Sequence, residues 1–242
     1  MANQEQLKLI KVGVDPWNAW RKANPSNRVD LSGGNFSKME LSGVDLAGAN
    51  LQDVNFNHAD LSGAILSGAN LTESSLLETN LTGANLENAN VSDADLLRAI
   101  LIQANLERAH LAKTDLTGAN LTKANLTEAN LHLANLQGAK LTEANLEGCK
   151  LREANLDQAD LAGANLGRAD LAQANLKQAN LLGANVEKAS VIQVDFQEAN
   201  LQTLANMTLL QLSKAKSLRH AQFDPLIYEQ LVREYPHIGE QD

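Results

Sequence analysis

From Val29 to Thr203 the chain repeats every five residues, without one insertion or deletion. The unit is Ala, then Asn or Asp, then Leu, then two mostly polar residues, as in Ala119-Asn120-Leu121-Thr122-Lys123. Across 35 copies the third position holds 29 Leu, 3 Phe and 3 Val, and never a polar residue. The first position is Ala in 25 copies and the second is Asn or Asp in 27. No ordinary element buries such a pattern. On an α-helix five steps of about 100° carry a residue roughly 140° around the axis, so the leucines would cover every side. On a strand an odd period sends successive leucines to opposite faces.

The leucines share one interior only if the chain turns a corner every five residues. Stacked coils then bury a continuous column, with the third residue and the small first residue inward and the other three outward. The period alone leaves three-sided and four-sided coils open. Eleven of the 15 glycines occupy the fifth position, where a corner can exploit positive φ. None of the four prolines lies in the repeat, as expected where backbone N–H groups bond a neighbouring coil.

The tandem A(N/D)LXX units resemble the pentapeptide-repeat family, and the resemblance covers 175 of the 242 residues. It implies an all-β fold, a right-handed quadrilateral β-helix with 20 residues per coil and, from the flanks, short α-helical caps at both ends. Departures are mild: Met39, Val44, Val54, Thr79, Thr114, Cys149 and Val194 replace Ala, and Ile65, Ile100, His110, Lys140 and Lys150 replace Asn or Asp. Four-copy coils stacked at the roughly 4.8 Å spacing of bonded strands make a rod about 42 Å long. Phe36 then lies directly below Phe56, with Phe196 on the same face near the far end. Three parts are expected: an N-terminal cap over residues 1–28, the repeat over 29–203, and a C-terminal cap over 204–242.

Each flank reads as helical. Residues 4–12 form an amphipathic stretch. Asp15-Pro16 has the form of an N-cap followed by proline at the first helical position, and Asn24-Pro25 ends the segment. Trp17 and Trp20 are expected to cover the first coil, and this tryptophan-bearing lead-in resembles pentapeptide-repeat proteins of cyanobacteria. Towards the C-terminus, Thr208 can cap a short helix through Lys214. Asp224-Pro225 opens another through about Glu234, with Leu226, Ile227, Leu231 and Val232 on its apolar side. That helix closes the last coil or, as in some relatives, joins two chains in a homodimer.

No catalytic constellation is present: the sequence has no G-x-S-x-G, no phosphate-binding P-loop and no G-x-G-x-x-G. Cys149 sits at an inward position, where an apolar column disfavours the thiolate. Of His58, His110, His132, His220 and His237, His110 and His132 approach one another on one face, one coil apart, without a third metal ligand. The abundant carboxylates lie on an open convex surface, whereas tuned acid–base pairs need a pocket that excludes water. The second-position asparagines suit backbone hydrogen bonding in turns. No enzyme activity, cofactor or metal is therefore expected.

The single cysteine permits no intrachain disulfide and fits a reducing compartment. Without a signal-peptide core or an apolar membrane span, the expectation is a cytoplasmic protein. Net charge is −9, and outward repeat positions carry no aromatic residue, which argues against nucleic acid and carbohydrate as direct ligands.

The repeat holds 22 acidic and 11 basic residues. One face is split by sign, with Asp30, Asp53, Glu73 and Asp93 in its first half and His110, Lys113, His132, Lys150 and Arg152 in its middle. Another carries Glu87, Glu107, Glu128 and Glu147, relieved by Arg108 and Arg168. At normally polar outward positions stand Leu77, Leu97, Ile100 and Ile102, which the coil gathers into one apolar patch beside Arg98. The reading is a binding or regulatory protein that meets a protein partner through this patch, with the basic stripe as a second candidate. The family also implies an alternative, in which an acidic rod mimics DNA and occupies the DNA site of a type II topoisomerase such as gyrase.

Overall fold

The computed structural model describes residues 2–236 and 238. From Asp30 onward, each second-position residue forms a parallel bridge with the residue 20 later: Asp30 with Asn50, Asn35 with Asn55, Glu40 with Asp60, Asp45 with Ile65, and so on to Asn185 with Ala205. Four copies therefore make one coil, with one bridge on each side. Around each bridge the third residue's N–H bonds the next coil's second carbonyl, as from Leu31 to Asn50 at 2.9 Å. The next coil's second N–H bonds back, as from Asn50 to Val29 at 2.9 Å.

The expectation of a β-rich chain needs correcting in one respect. The bridges are isolated single residues and no continuous strand forms between coils. Two of every five residues belong to a turn, so a side ends before a second bridged pair can follow.

The turns explain the polar positions. The first residue of each copy donates its N–H to the third residue of the copy before, as Ala124 does to Leu121 at 3.0 Å. All 35 fifth residues have positive φ, from 53° to 70°, as a type II turn requires. Only 11 of them are glycine, so 24 side chains stand in a left-handed conformation that costs roughly 1–2 kcal/mol each. The second-position amide or carboxylate reinforces the turn: Asn120 Oδ1 accepts from the N–H of Thr122 at 3.1 Å and from its hydroxyl at 2.6 Å. The same amides link coils. Asn105, Asn125, Asn145, Asn165 and Asn185 each donate Nδ2 to the Oδ1 of the asparagine 20 residues before, at 3.0–3.5 Å. Asn206 extends this chain at 2.8 Å.

First and third residues fill the interior, and every third-position side chain of the repeat is buried. Phe36 and Phe56 stack with centroids 5.5 Å apart. Gly34 makes room for this pair, since a Cβ there would lie 2.6 Å from the Phe36 ring. Polar residues at inward positions find backbone acceptors: Thr79 donates to Phe56, Thr114 to Val91 and Cys149 to Leu126, each at 2.8 Å, and Ser74 donates to Leu71.

Helices α1 (Gln4–Ile10) and α2 (Val14–Ala23) cover part of the first coil. Their side chains replace hydrogen bonds that a preceding coil would supply. Gln6 Oε1 accepts from Asp30 N–H at 2.8 Å and Asn18 Oδ1 from Asp45 N–H at 2.8 Å. Trp17 Nε1 donates to the Asp45 carbonyl at 2.7 Å and Arg21 to the Ala47 carbonyl at 2.8 Å. The expected start at Asp15 is corrected: α2 begins at Val14 after Gly13, so Asp15 and Pro16 lie within its first turn. Proline is tolerated there because the first N–H groups of a helix lack intrahelical acceptors.

At the other end, α3 (Leu209–Leu212) opens with Thr208 in a reciprocal capping box with Gln211. It ends two residues before the expected Lys214, whose carbonyl is already engaged by Gln193 N–H at 2.8 Å. The chain then rejoins the ladder, with Asp195 bridged to Ser217 and Asn200 to Gln222, a step of 22 residues. Lys216-Ser217-Leu218-Arg219-His220 behaves as a further five-residue unit: Leu218 is buried and His220 has φ of 55°. Helix α4 (Pro225–Glu234) starts after Asp224 as expected, although that carboxylate accepts from Thr203 N–H at 3.0 Å instead of capping the helix.

Leu121→Asp places an unpaired charge in the buried column and is expected to cost more than about 4 kcal/mol. Lys123→Ala removes only an exposed 3.4 Å pair with Glu143, worth below about 1 kcal/mol. Urea melts of the two variants measure the difference, and equal losses would contradict the inward–outward register. At Gly138 a Cβ would meet nothing within 4 Å, so Gly138→Ala isolates the left-handed strain, with an expected cost of about 1 kcal/mol in the same assay.

Candidate functional site

The sides of the rod are regular, so a site must be sought where the pattern of outward residues breaks. Leu77 and Leu97 occupy the same corner on adjacent coils, joined through Glu78 N–H and the Leu97 carbonyl at 2.9 Å. Ile100 follows on the next side, bridged to Asn80 and Asn120, and Ile102 stands at the corner beyond it. Ile100 is 38% exposed, whereas Leu77, Leu97 and Ile102 are half-buried. Arg98 is held by Glu78 at 2.6 Å, and Glu78 also meets His58 at 3.2 Å. This corner therefore presents a tethered guanidinium beside apolar side chains.

The sequence reading missed other outward apolar residues, and several are more exposed. Ile65, Leu133, Leu182 and Ile192 are 43%, 42%, 43% and 49% exposed. The signal was available, an apolar residue at an outward position of the unit. They lie on four different levels, with Leu133 and Ile192 at one edge three coils apart and the other two elsewhere.

In the basic stripe, His110, Lys113, Lys150 and Arg152 are exposed and His132 is half-buried. His132 Nδ1 lies 3.0 Å from the Arg152 carbonyl, and Arg152 pairs with Asp170 at 3.7 Å. The stripe is thus partly tied to its own backbone and to one carboxylate. Among the described residues no group of three His, Cys, Asp or Glu could hold a metal ion; His237 lies outside them.

Burial pushes the Cys149 thiol up to about 12. Serine hydroxyl and backbone donors of Ser32 hold the Asp30 carboxyl below its ordinary value. Beneath the C-terminal cap, Leu201, Met207, Phe223 and Ile227 line an apolar hollow of about 50 Å³, far below the several hundred Å³ of a small-molecule site.

On α4, Leu231 is buried and Ile227 packs against the end of the core, as does Tyr235 just after the helix. That side closes the coil. Leu226 on α4 and Leu210 on α3 stay exposed. No helix among the described residues is long and apolar enough to cross a membrane.

A thiol-specific reagent at neutral pH is expected to leave Cys149 unmodified in the folded protein and to label it fully in denaturant. Rapid labelling of the native state, read by mass spectrometry, would contradict its burial.

The family profile described as Pentapeptide repeats matches in eight copies, over stretches running from residue 27 to 202. No curated protein matches the chain. Among solved structures, HetL, a pentapeptide repeat protein involved in heterocyst differentiation regulation from the cyanobacterium Nostoc sp. strain PCC 7120, is 31% identical. The match covers 84% of this chain and 92% of HetL, with a TM-score of 0.48. A trypsin-treated variant of QnrB1, a plasmid-mediated fluoroquinolone resistance protein, is 18% identical over 86% of this chain and 95% of its own, with a TM-score of 0.52. A second Nostoc pentapeptide repeat protein, alr5209, is 31% identical over 40% of this chain and 79% of its own, with a TM-score of 0.33.

Proposed function

The chain belongs to the pentapeptide-repeat family, and from that premise we propose a non-enzymatic binding protein that regulates a protein partner through the side of its rod. The reading takes the coil as a right-handed quadrilateral β-helix over 29–203, flanked by caps over 1–28 and 204–242. The observation that carries it is that Leu97, Ile100 and Ile102 stand together around one coil, whereas the other outward apolar residues stand singly. Burying such a group against a partner gains hydrophobic free energy at no cost to the rod, whose interior does not use these side chains. Arg98, already ordered by Glu78, loses little freedom on binding. The 31% identity to HetL, itself involved in regulation, supports a regulatory role.

A DNA-mimicking rod that occupies the DNA site of a type II topoisomerase is the second reading, favoured by the excess of acidic residues in the repeat. Against it, several acids are neutralised within the rod: Glu128 by Arg108, Glu78 by Arg98, Glu143 by Lys123 and Glu147 by Arg168. A continuous array of free anionic groups is thereby interrupted.

Leu97→Glu with Ile102→Glu is expected to leave the melting temperature within a few degrees of the unmodified protein, since both side chains point outward. It should lose the partner that the unmodified protein captures from native lysate, and undiminished capture would remove the patch as the site. In a gyrase supercoiling assay the unmodified protein should have no effect, and inhibition would favour the second reading.

A further inference from the structure

Three edges of the rod hold ion pairs between neighbouring coils. Between the Asn35 and Glu40 sides, Glu78 binds both Arg98 and His58. Between the Glu40 and Asp45 sides, Lys123 meets Glu143. Between the Asp45 and Asp30 sides, Arg108 bonds Glu128 at 3.0 Å and Arg168 meets Glu147 at 3.5 Å. The fourth edge, between the Asp30 and Asn35 sides, is built differently. Its fifth-position residues are Asp53, Glu73 and Asp93 on three successive coils, then Lys113 on the next, followed by His132 and Arg152 at the fourth position of the two coils after that. Glu153, beside Arg152, is the one acid at these corners of the basic half. Asp53, Glu73, Asp93 and Lys113 are exposed, and among the described residues none of the four has an ion-pair partner within 4 Å.

Like charges on adjacent rungs, roughly 4.8 Å apart, repel one another. The pairs on the other edges relieve this cost by setting opposite signs on neighbouring coils. This edge instead gathers three acids into one block and three bases into the next, at the same spacing.

We propose that this edge is a self-association surface, on which two copies of the chain lie side by side and antiparallel. A two-fold axis between the coils of Asp93 and Lys113 brings Asp93 against the second copy's Lys113, Glu73 against its His132, and Asp53 against its Arg152. Each of these contacts occurs twice, as an isologous interface demands. The outermost pair is the weakest of the three, because Glu153 and Asp170 already stand beside Arg152. The common coil spacing keeps all three pairs in register over five steps, about 24 Å. Exposed Leu133 lies on the coil of His132 and adds apolar area at the level of Glu73. The side that bears Ile100 faces away from this edge, so the dimer presents that side twice. This inference does not depend on the partner-binding reading, which concerns a different side of the rod.

The test uses the whole chain and two charge reversals, Asp93→Lys and Lys113→Asp. Each puts into a fifth position a residue type that this same turn already accepts elsewhere, as at Lys123 and Asp53, so both variants should fold, as circular dichroism and thermal melting will verify. By sedimentation velocity the unmodified protein should dimerise at about 20 mM salt and dissociate towards monomer at about 500 mM. Each reversal alone faces like charge twice across the two-fold and should weaken dimerisation at least about tenfold. Mixing the two variants should restore a dimer, since one chain then carries lysine at both positions of the central pairs and the other carries aspartate at both. An unmodified protein that stays monomeric at low salt overturns the proposal. So does a dimer indifferent to both reversals, the behaviour expected if the C-terminal helices joined the chains. Failure of the mixed variants to associate overturns it as well.

Discussion

The structure depends on backbone amides finding their carbonyls one coil away. The chain never runs alongside itself for more than a few residues before it turns, so neither a helix's internal ladder nor a long strand's edge is available. The second and third N–H groups of a copy can bond only to a coil above or below. That requirement goes with a coil of 20 residues in the repeat, a leucine on every side at nearly every level, and a left-handed residue at every corner. The strain of 24 non-glycine residues in that conformation persists because each turn sits between two hydrogen-bonded neighbours. Asparagine amides brace the same turns from outside while linking coil to coil.

The interior was legible in the sequence because its rule has few exceptions. Phe36 stacked against Phe56 followed from counting 20 residues, and the hydroxyls at inward Ala positions proved compatible with the column because carbonyls lie within reach. The ends were read less well. Asp224-Pro225 opened its helix as the motif suggests, yet Asp15-Pro16 did not, because Gly13 allows α2 to begin earlier. The unit at Lys216–His220 escaped notice because it lies two residues out of register, and only the outward loop of α3 absorbs the difference. The replacement of a missing coil by Gln6, Asn18, Trp17 and Arg21 is a tertiary match that no local pattern announces.

The candidate surface was half legible. Outward positions follow from the register, so Leu97, Ile100 and Ile102 could be named as exceptions. Their partial burial could not, since it depends on the side chains one coil away. The ion pair that holds Arg98 lay within the same 20-residue count, since Glu78 occupies the same corner one coil earlier, but it was not drawn from the sequence. The charge-split face was visible as a set of residues. That Asp53, Glu73, Asp93 and Lys113 find no ion-pair partner within 4 Å, while the other edges hold pairs between neighbouring coils, required the positions of every neighbouring side chain.

The 20-residue step also has a genetic meaning. Because a coil touches only the coils before and after it, a duplication or deletion of 20 codons leaves every other side chain facing the direction it faced before. A change of five codons rotates all that follows by one side, moving each surface marking to a new azimuth while the interior still fills. A change of one codon would turn leucines outward from that point on. Length and surface pattern can therefore evolve as separable variables in this protein, with the reading frame of the coil, above that of the codon, deciding which insertions survive.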